Sequence, residues 1–318
     1  MNLVDLIDEN GKLVIPDGVT MIGSEEVRHN DDLLTSVEIP DSVTAVEIPD
    51  TVTKIGDNAF EGCSKLISVT IPDSVTIIGE GAFADCESLS SIIVSENNAR
   101  YKSIDNCCLS KGGNMLIFGC KNSKIPDCVT IIGDSAFDRC TGLSSIEIPS
   151  SVTQIGDCAF ADCTGLTSIE IPNSVTEIGD FAFDCCTGLT SIEIPSGVTQ
   201  IGDLAFSCCT GLTSIEIPNS VTEIGNAAFS GCTGLKSIEI PAWLVEDVVY
   251  IFEPIENLSS ITIRLTEKLP DNAKDVLRIV DHCDPSIVTL KVPTGCGEAY
   301  RHHPDFEGKF KEILEVLD

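Results

Sequence analysis

Positive charge is scarce in this sequence. Lys and Arg number 19 against 50 Asp and Glu, a formal charge of −31 over 318 residues. A chain so poor in cations has no basic footprint for nucleic-acid phosphates or anionic lipid, so both kinds of partner are excluded. Aromatics are few too, 5% with a single Trp, so the core must be aliphatic. Apolar residues still make up 42%, too many for a disordered chain. No apolar run approaches the ~18 residues of a membrane span, so membrane insertion is not expected. The opening residues MNLVDLIDENG lack the basic and apolar regions of a secretory signal. The motifs of P-loop, zinc-protease, serine-hydrolase and EF-hand chemistry are missing, as is any C-x-x-C pair. Gly79-Glu-Gly81-Ala-Phe-Ala84 imitates a dinucleotide fingerprint, but no long helix follows it. Cys296, His302 and His303 lie close together without a fourth metal ligand. The expectation is a monomer that is not an enzyme, with no catalytic, cofactor-binding or metal residues and no cofactor.

What the sequence has in abundance is repetition. Pro149, Pro172, Pro195, Pro218 and Pro241 are each 23 residues apart, and Pro49, Pro72 and Pro126 belong to the same series. The unit from Pro172 reads PNSVTEIGDFAFDCCTGLTSIEI, and its neighbours differ at few positions. Leu166-x-x-Ile169-x-Ile171 at this period is the pattern of a leucine-rich repeat. A single repeat cannot bury its own apolar face, so the units must stack into a solenoid with one continuous core. The fold class read here is an α/β solenoid: a right-handed superhelix of 23-residue units, each a short parallel strand plus a single helical turn.

Within a unit, Ile169 and Ile171 alternate with Ser168 and Glu170, a period of two that makes residues 167–171 a short strand. Pro172 ends it, lacking a donor. Val175 and Ile178 point back into the core. Gly179 permits a sharp turn with positive φ, Asp180 stands where a helix N-cap is wanted, and Ala182, Phe183 and Cys186 share one side of a helical turn. The aspartates Asp57, Asp134, Asp157, Asp180 and Asp203 are read as such caps; one carboxylate per turn is too few for calcium.

Departures from the repeat mark its limits. Residues 1–48 read as a capping region of irregular repeats, where Val27 and Asn30 replace Phe and Cys and the unit PDSVTAVEIP is cut short. Residues 49–263 form the solenoid, and residues 264–318 a C-terminal cap. An insertion at 95–125 carries segments 107–110 and 115–118 around Gly112-Gly113, a hairpin turn. Phe252, Leu258, Ser260 and Ile263 keep a degenerate last repeat in register with Phe229, Leu235, Ser237 and Ile240. Beyond it, residues 272–283, 297–302 and 305–311 read as helical, and 290–293 and 314–316 as strands.

The unit V-T-x-I-G-x-x-A-F-x-x-C-x-x-L-x-S-I-x-I-P resembles the BspA-like leucine-rich repeats. The insertion YKSIDNCCLSKGGNMLI resembles a hairpin module of that family, with Asn106, Cys107 and Cys108 in place of its usual Gly-Val-Leu, and VPTGCGEAYRHHPDFEGKFKEILEV resembles its C-terminal cap. The resemblance implies a bacterial surface or secreted protein that adheres to host matrix proteins or other cells.

Of the 16 cysteines, Cys63, Cys86, Cys140, Cys163, Cys186, Cys209 and Cys232 occupy the F-x-x-C slot. That slot faces the core, where a thiol packs as a small apolar group. Side chains stacked in register are poorly placed for disulfides. Cys185 and Cys208 precede this column and are expected to be more exposed, as two thiols on successive rungs.

The outward strand positions carry the functional reading. Glu147, Glu170, Glu193, Glu216 and Glu239 form one column, and Ser145, Ser168, Ser191, Ser214 and Ser237 the column before it. These ten are the candidate protein-binding residues: an acidic ribbon for a basic or cation-bridged protein partner, such as a host matrix protein. The alternatives are a solvated face copied by duplication, and an intracellular scaffold or regulator that binds a basic partner in the cytoplasm. A uniform ladder lacks the pocket and unequal environments of paired catalytic carboxylates.

Overall fold

A computed structural model describes residues 12–15, 19, 21–22, 43–241, 244, 251–252, 257–264, 287–304 and 306–316. The expected irregular repeat at Val27 and Asn30 and the expected helix at 272–283 lie outside these residues. The chain divides into two compact units, Met1–Leu166 and Thr167–Asp318. Both are β-solenoids with a rung of 23 residues, and the α-helix among the described residues is Gly297–Arg301.

In the N-terminal unit, Lys12–Val14, Ala45–Glu47, Ser68–Ile71 and Ser91–Val94 pair in parallel, in that order. A second line of two-residue strands, Met21–Ile22, Lys54–Ile55 and Ile77–Ile78, runs beside it. The insertion is an antiparallel module of three strands, Tyr101–Ile104, Cys107–Ser110 and Met115–Phe118. Its last strand then pairs in parallel with Ile131–Ile132, which pairs with Gln154–Ile155. The module thus returns the chain to the solenoid. Buried Asn98 anchors its base, donating to the Pro72 and Val75 carbonyls and accepting from the Arg100 and Tyr101 amides.

In the C-terminal unit, Glu177–Ile178, Gln200–Ile201 and Glu223–Ile224 form the short-strand line. Ser214–Glu216, Ser237–Pro241, Ser260–Arg264, Thr289–Pro293 and Glu312–Val316 form the strand face. Ser260 opposite Ser237 and Ile263 opposite Ile240 give the degenerate repeat the register expected of it. Upstream, the expected strand at 167–171 shrinks to bridges at Ser168 and Glu170, with Ser168 opposite Ser191.

The core is built of identical residues stacked on one another. Val175, Val198 and Val221, Leu189, Leu212 and Leu235, and Cys186, Cys209 and Cys232 are all fully buried. Phe183, Phe206 and Phe229 stack with centroids 5.2 and 5.1 Å apart and nearly parallel rings. The Cys209 thiol donates to the Phe183 carbonyl of the preceding rung at 3.1 Å, and Cys232 to Phe206 at 3.0 Å. Burial pushes the Cys232 thiol up to about 12. None of the fifteen described cysteines is in a disulfide.

The segment expected to form a helical turn is a run of β-turns instead. Alternate amides reach the next rung: Phe181, Phe183 and Cys185 donate to the carbonyls of Asp203, Ala205 and Ser207 at 2.7–2.8 Å. The amides between them, Ala182, Asp184 and Cys186, close i→i+3 turns. In a helix every amide stays within its own segment. Here two left-handed residues per rung, Phe181 (φ 56°) and Cys185 (φ 54°), turn every second donor outward to the neighbour.

Two smaller expectations are corrected with it. The positive φ falls at Phe181 and Cys185 rather than at Gly179. The glycine column answers to close stacking: a Cβ at Gly202 would collide with the Asp180 amide and carboxylate and the Gly179 backbone. The aspartates cap the next rung rather than a helix. Asp180 accepts the Asp203 amide at 2.7 Å, and Asp203 accepts the Asn226 amide at 2.6 Å. In the C-terminal cap, residues 306–311 form turns where a helix was expected.

Candidate functional site

On the strand face, pleat alternation buries Ile215 and Ile238 and turns Ser214, Glu216, Ser237 and Glu239 outward. Ser214 lies opposite Ser237 and Glu216 opposite Glu239. The same line continues through Thr262 and Lys291. Glu193, Glu216, Glu239, Ser214, Ser237 and Lys291 line one groove of about 610 Å³. Glu170, Ser168 and Ser191 are also exposed in this unit. Of the ten candidates, Ser145 and Glu147 belong to the N-terminal unit. They line a groove of about 670 Å³ with Lys121 and Lys124.

Lys124 and Lys291 were not among the candidates, yet the sequence carries their signal. Each stands two residues before a proline, Pro126 and Pro293, as Glu147 stands before Pro149. The glutamate column therefore has a lysine at the equivalent position on rungs at both ends. Farther toward the N-terminus the column holds a single carboxylate among the described residues, Glu47, with Val14, Thr70 and Ile93 exposed beside it.

The insertion differs in charge from the rest of the chain. Residues 95–125 hold Arg100, Lys102, Lys111, Lys121 and Lys124 against Glu96 and Asp105, a net charge of +3. Lys121 donates to the Glu87 carbonyl at 2.9 Å. Nearby, Arg139 pairs with Glu61 and lies 3.6 Å from Asp162. Burial pushes the half-buried Asp138 carboxyl up to about 6; Asp162 and Glu61 add to the shift, and Arg139 opposes it. A small, partly open cavity of about 20 Å³, one water in size, lies between Phe83, Phe118, Phe137 and Asp138.

The half-buried Cys185 and Cys208 are not bridged. Their sulfurs and an Asp184 carboxylate oxygen all lie within 4.8 Å of one another. His302 and Glu298 interact at 3.1 Å on the exposed helix surface.

The chain matches the family described as the BspA type leucine rich repeat region in six copies, over residues 40–119, 117–213 and 199–273. A leucine rich cell surface protein from Faecalibacterium prausnitzii A2-165, known by its crystal structure, is 38% identical, with a TM-score of 0.60. The likeness covers 71% of this chain and 59% of that one, so this chain spans under two thirds of that relative. The pneumococcal vaccine antigen PcpA shares the fold at 19% identity, over 96% of this chain and 68% of its own, with a TM-score of 0.59. No curated protein matches the sequence.

Proposed function

The chain belongs to the BspA-type leucine-rich repeat family, and from that premise we propose that it is a non-enzymatic, monomeric interaction protein of the cell surface. In this reading its rungs wind right-handed, and its strand face receives a basic, extended segment of a protein partner in an adhesin-like role. The observation that carries it is the groove lined by Glu193, Glu216 and Glu239 beside Ser214 and Ser237. Carboxylates repeated at strand spacing match cations carried along an extended chain, and the serines add neutral hydrogen-bonding groups. Affinity accumulates over rungs, as solenoids bind. The surface location is supported by the relative from F. prausnitzii, which is called a cell surface protein.

The test is binding of a Lys-rich peptide and of its neutral Gln counterpart to the wild type and to a Glu193→Gln, Glu216→Gln, Glu239→Gln protein. The expected result is preference for the basic peptide, loss of at least tenfold in affinity in the variant, and wild-type binding that weakens with salt. Equal binding of both peptides by both proteins overturns the acidic-face reading and moves attention to the insertion at 95–125.

A further inference from the structure

Asp184, Cys185 and Cys208 do not serve the strand face and lie on the turn side of the rungs. Every other position in the Cys185 column holds a different residue: Gly62, Asp85, Arg139, Asp162 and Gly231. Only here do two thiols fall on successive rungs in that column. We propose that Asp184, Cys185 and Cys208 form a site for one thiophilic divalent cation of the Zn²⁺ class.

The donor set fits such an ion. Thiolate sulfur selects Zn²⁺ over Mg²⁺ or Ca²⁺, and a carboxylate oxygen is an accepted third ligand. Zn–S bonds of about 2.3 Å at tetrahedral angles place two sulfurs ~3.8 Å apart. Three donor atoms already within 4.8 Å reach that spacing by side-chain rotation alone. The backbone fixes where they start. The Cys185 amide donates to the Ser207 carbonyl at 2.8 Å and the Cys208 amide to Ser230 at 2.7 Å. Both cysteines share a φ of 54°, so their side chains leave the rungs in parallel. Parallel exit suits an ion at the apex better than a disulfide, whose Cβ–S–S–Cβ torsion must reach about 90°.

Space for a further ligand exists as well. Gly231 carries no side chain on the next rung, where a Cβ would stand 3.1 Å from the Cys208 sulfur. Solvent would supply the fourth ligand. The thiols of the neighbouring Cys209 and Cys232 are buried and donate to backbone carbonyls, so they do not compete. Binding replaces two thiol protons, released to solvent, with two metal–sulfur bonds, so affinity rises with pH.

Co²⁺ titration of the reduced full-length chain tests this. The expected result is one Co²⁺ per chain, with thiolate-to-cobalt charge-transfer absorption and the intense d–d bands of tetrahedral coordination, both abolished by Zn²⁺. Cys185→Ser and Cys208→Ser should each weaken binding by tenfold or more, Asp184→Asn should weaken it less, and a Cys128→Ser, Cys158→Ser, Cys296→Ser protein should bind as the wild type does. A second measurement needs no variant: Zn²⁺ should protect Cys185 and Cys208 of the wild type from alkylation, located by mass spectrometry. Absence of the charge-transfer absorption, or alkylation of both thiols at the same rate with and without Zn²⁺, overturns the proposal.

Discussion

The stretch around the insertion and the even stretch from Asn173 to Ile240 share one core recipe but meet their neighbours differently. In the even stretch each inward side chain faces its own copy one rung away. Like on like suits Phe206 between Phe183 and Phe229, and thiols that donate to the preceding rung. Around the insertion the residues that meet are not copies from successive repeats. Phe118 leaves the antiparallel module to stack on Phe83 at 4.5 Å, and Gly119 lies against the Phe137 ring. Arg139 meets Glu61 and Asp162, and Asp138 is left half-buried among them. Repetition secures apolar packing cheaply but multiplies any like charge; interruption costs packing but permits charge compensation.

The core offers the largest test of this contrast. Phe206→Ala should cost ~3–5 kcal/mol, because the ring is fully buried between two parallel neighbours. Phe118→Ala should fall at or below the lower end of that range, because a cavity of about 20 Å³ already adjoins it. Denaturant midpoints at a common m-value measure both, and equal losses would mean the interruption packs as well as the repeat. Close approach gives the next test. Gly202→Ala and Gly119→Ala should each cost ~1–3 kcal/mol by overpacking. The first presses on backbone and the second on a ring held in a stack, so neither obstacle is the yielding end of a long side chain. Unchanged stability in Gly202→Ala would remove close stacking as the reason for the glycine column.

The period, the strand and its inward residues, the thiol column and the inserted hairpin were legible because each depends on local alternation or on copies at a fixed spacing. Residues 181–186 were misread because apolar positions at i, i+1 and i+4 fit a helical turn as well as a β-turn. What decides is where alternate amides donate, and their acceptors lie on the next rung, 22 residues away, as from Phe183 to Ala205. The aspartate column was misassigned for the same reason. Asp180 does cap an amide, but the amide belongs to Asp203. Lys124 and Lys291 are legible only by position, two residues before Pro126 and Pro293, because residue identity changes down the column. Cys185 and Cys208 were legible as thiols on successive rungs, but that Asp184 joins them needs the turn geometry.

Asp138 gives the pH test of the interrupted stretch. Its carboxyl is held up to about 6, chiefly by burial, above the ordinary aspartate value of 3.8. The folded state therefore favours the protonated form. The associated stability is fully present below about pH 4 and is lost as pH rises through about 6. Asp138→Asn should be more stable than the wild type at pH 7 by about 1 kcal/mol after allowance for solvent screening, with the difference vanishing near pH 4. A difference that stays constant between pH 4 and pH 7 would show that the carboxyl titrates alike in both states.

The smallest effect separates two outward columns of the even stretch itself. On the strand face glutamate follows glutamate, and Glu216 lies opposite Glu239. On the short-strand line Gln200 stands between Glu177 and Glu223 and donates to Glu223 at 3.0 Å. Carboxylates ~5 Å apart in water repel by about 0.8 kcal/mol before screening, and by roughly half that at 0.1 M salt. Glu193→Gln, Glu216→Gln, Glu239→Gln should therefore stabilise the protein by a few tenths of a kcal/mol per neighbouring pair at low salt. The gain should shrink as salt is added. Glu177→Gln, Glu223→Gln should give no such gain, since it weakens the Gln200 hydrogen bond from a charge-assisted to a neutral one while relieving little repulsion. Thermal unfolding of both variants across a salt series reads the difference. If the strand-face variant gains nothing at low salt, the glutamates are not straining the fold, and their uniformity needs no functional explanation. If it gains there and loses the basic peptide as well, the chain keeps a destabilising column that its partner uses.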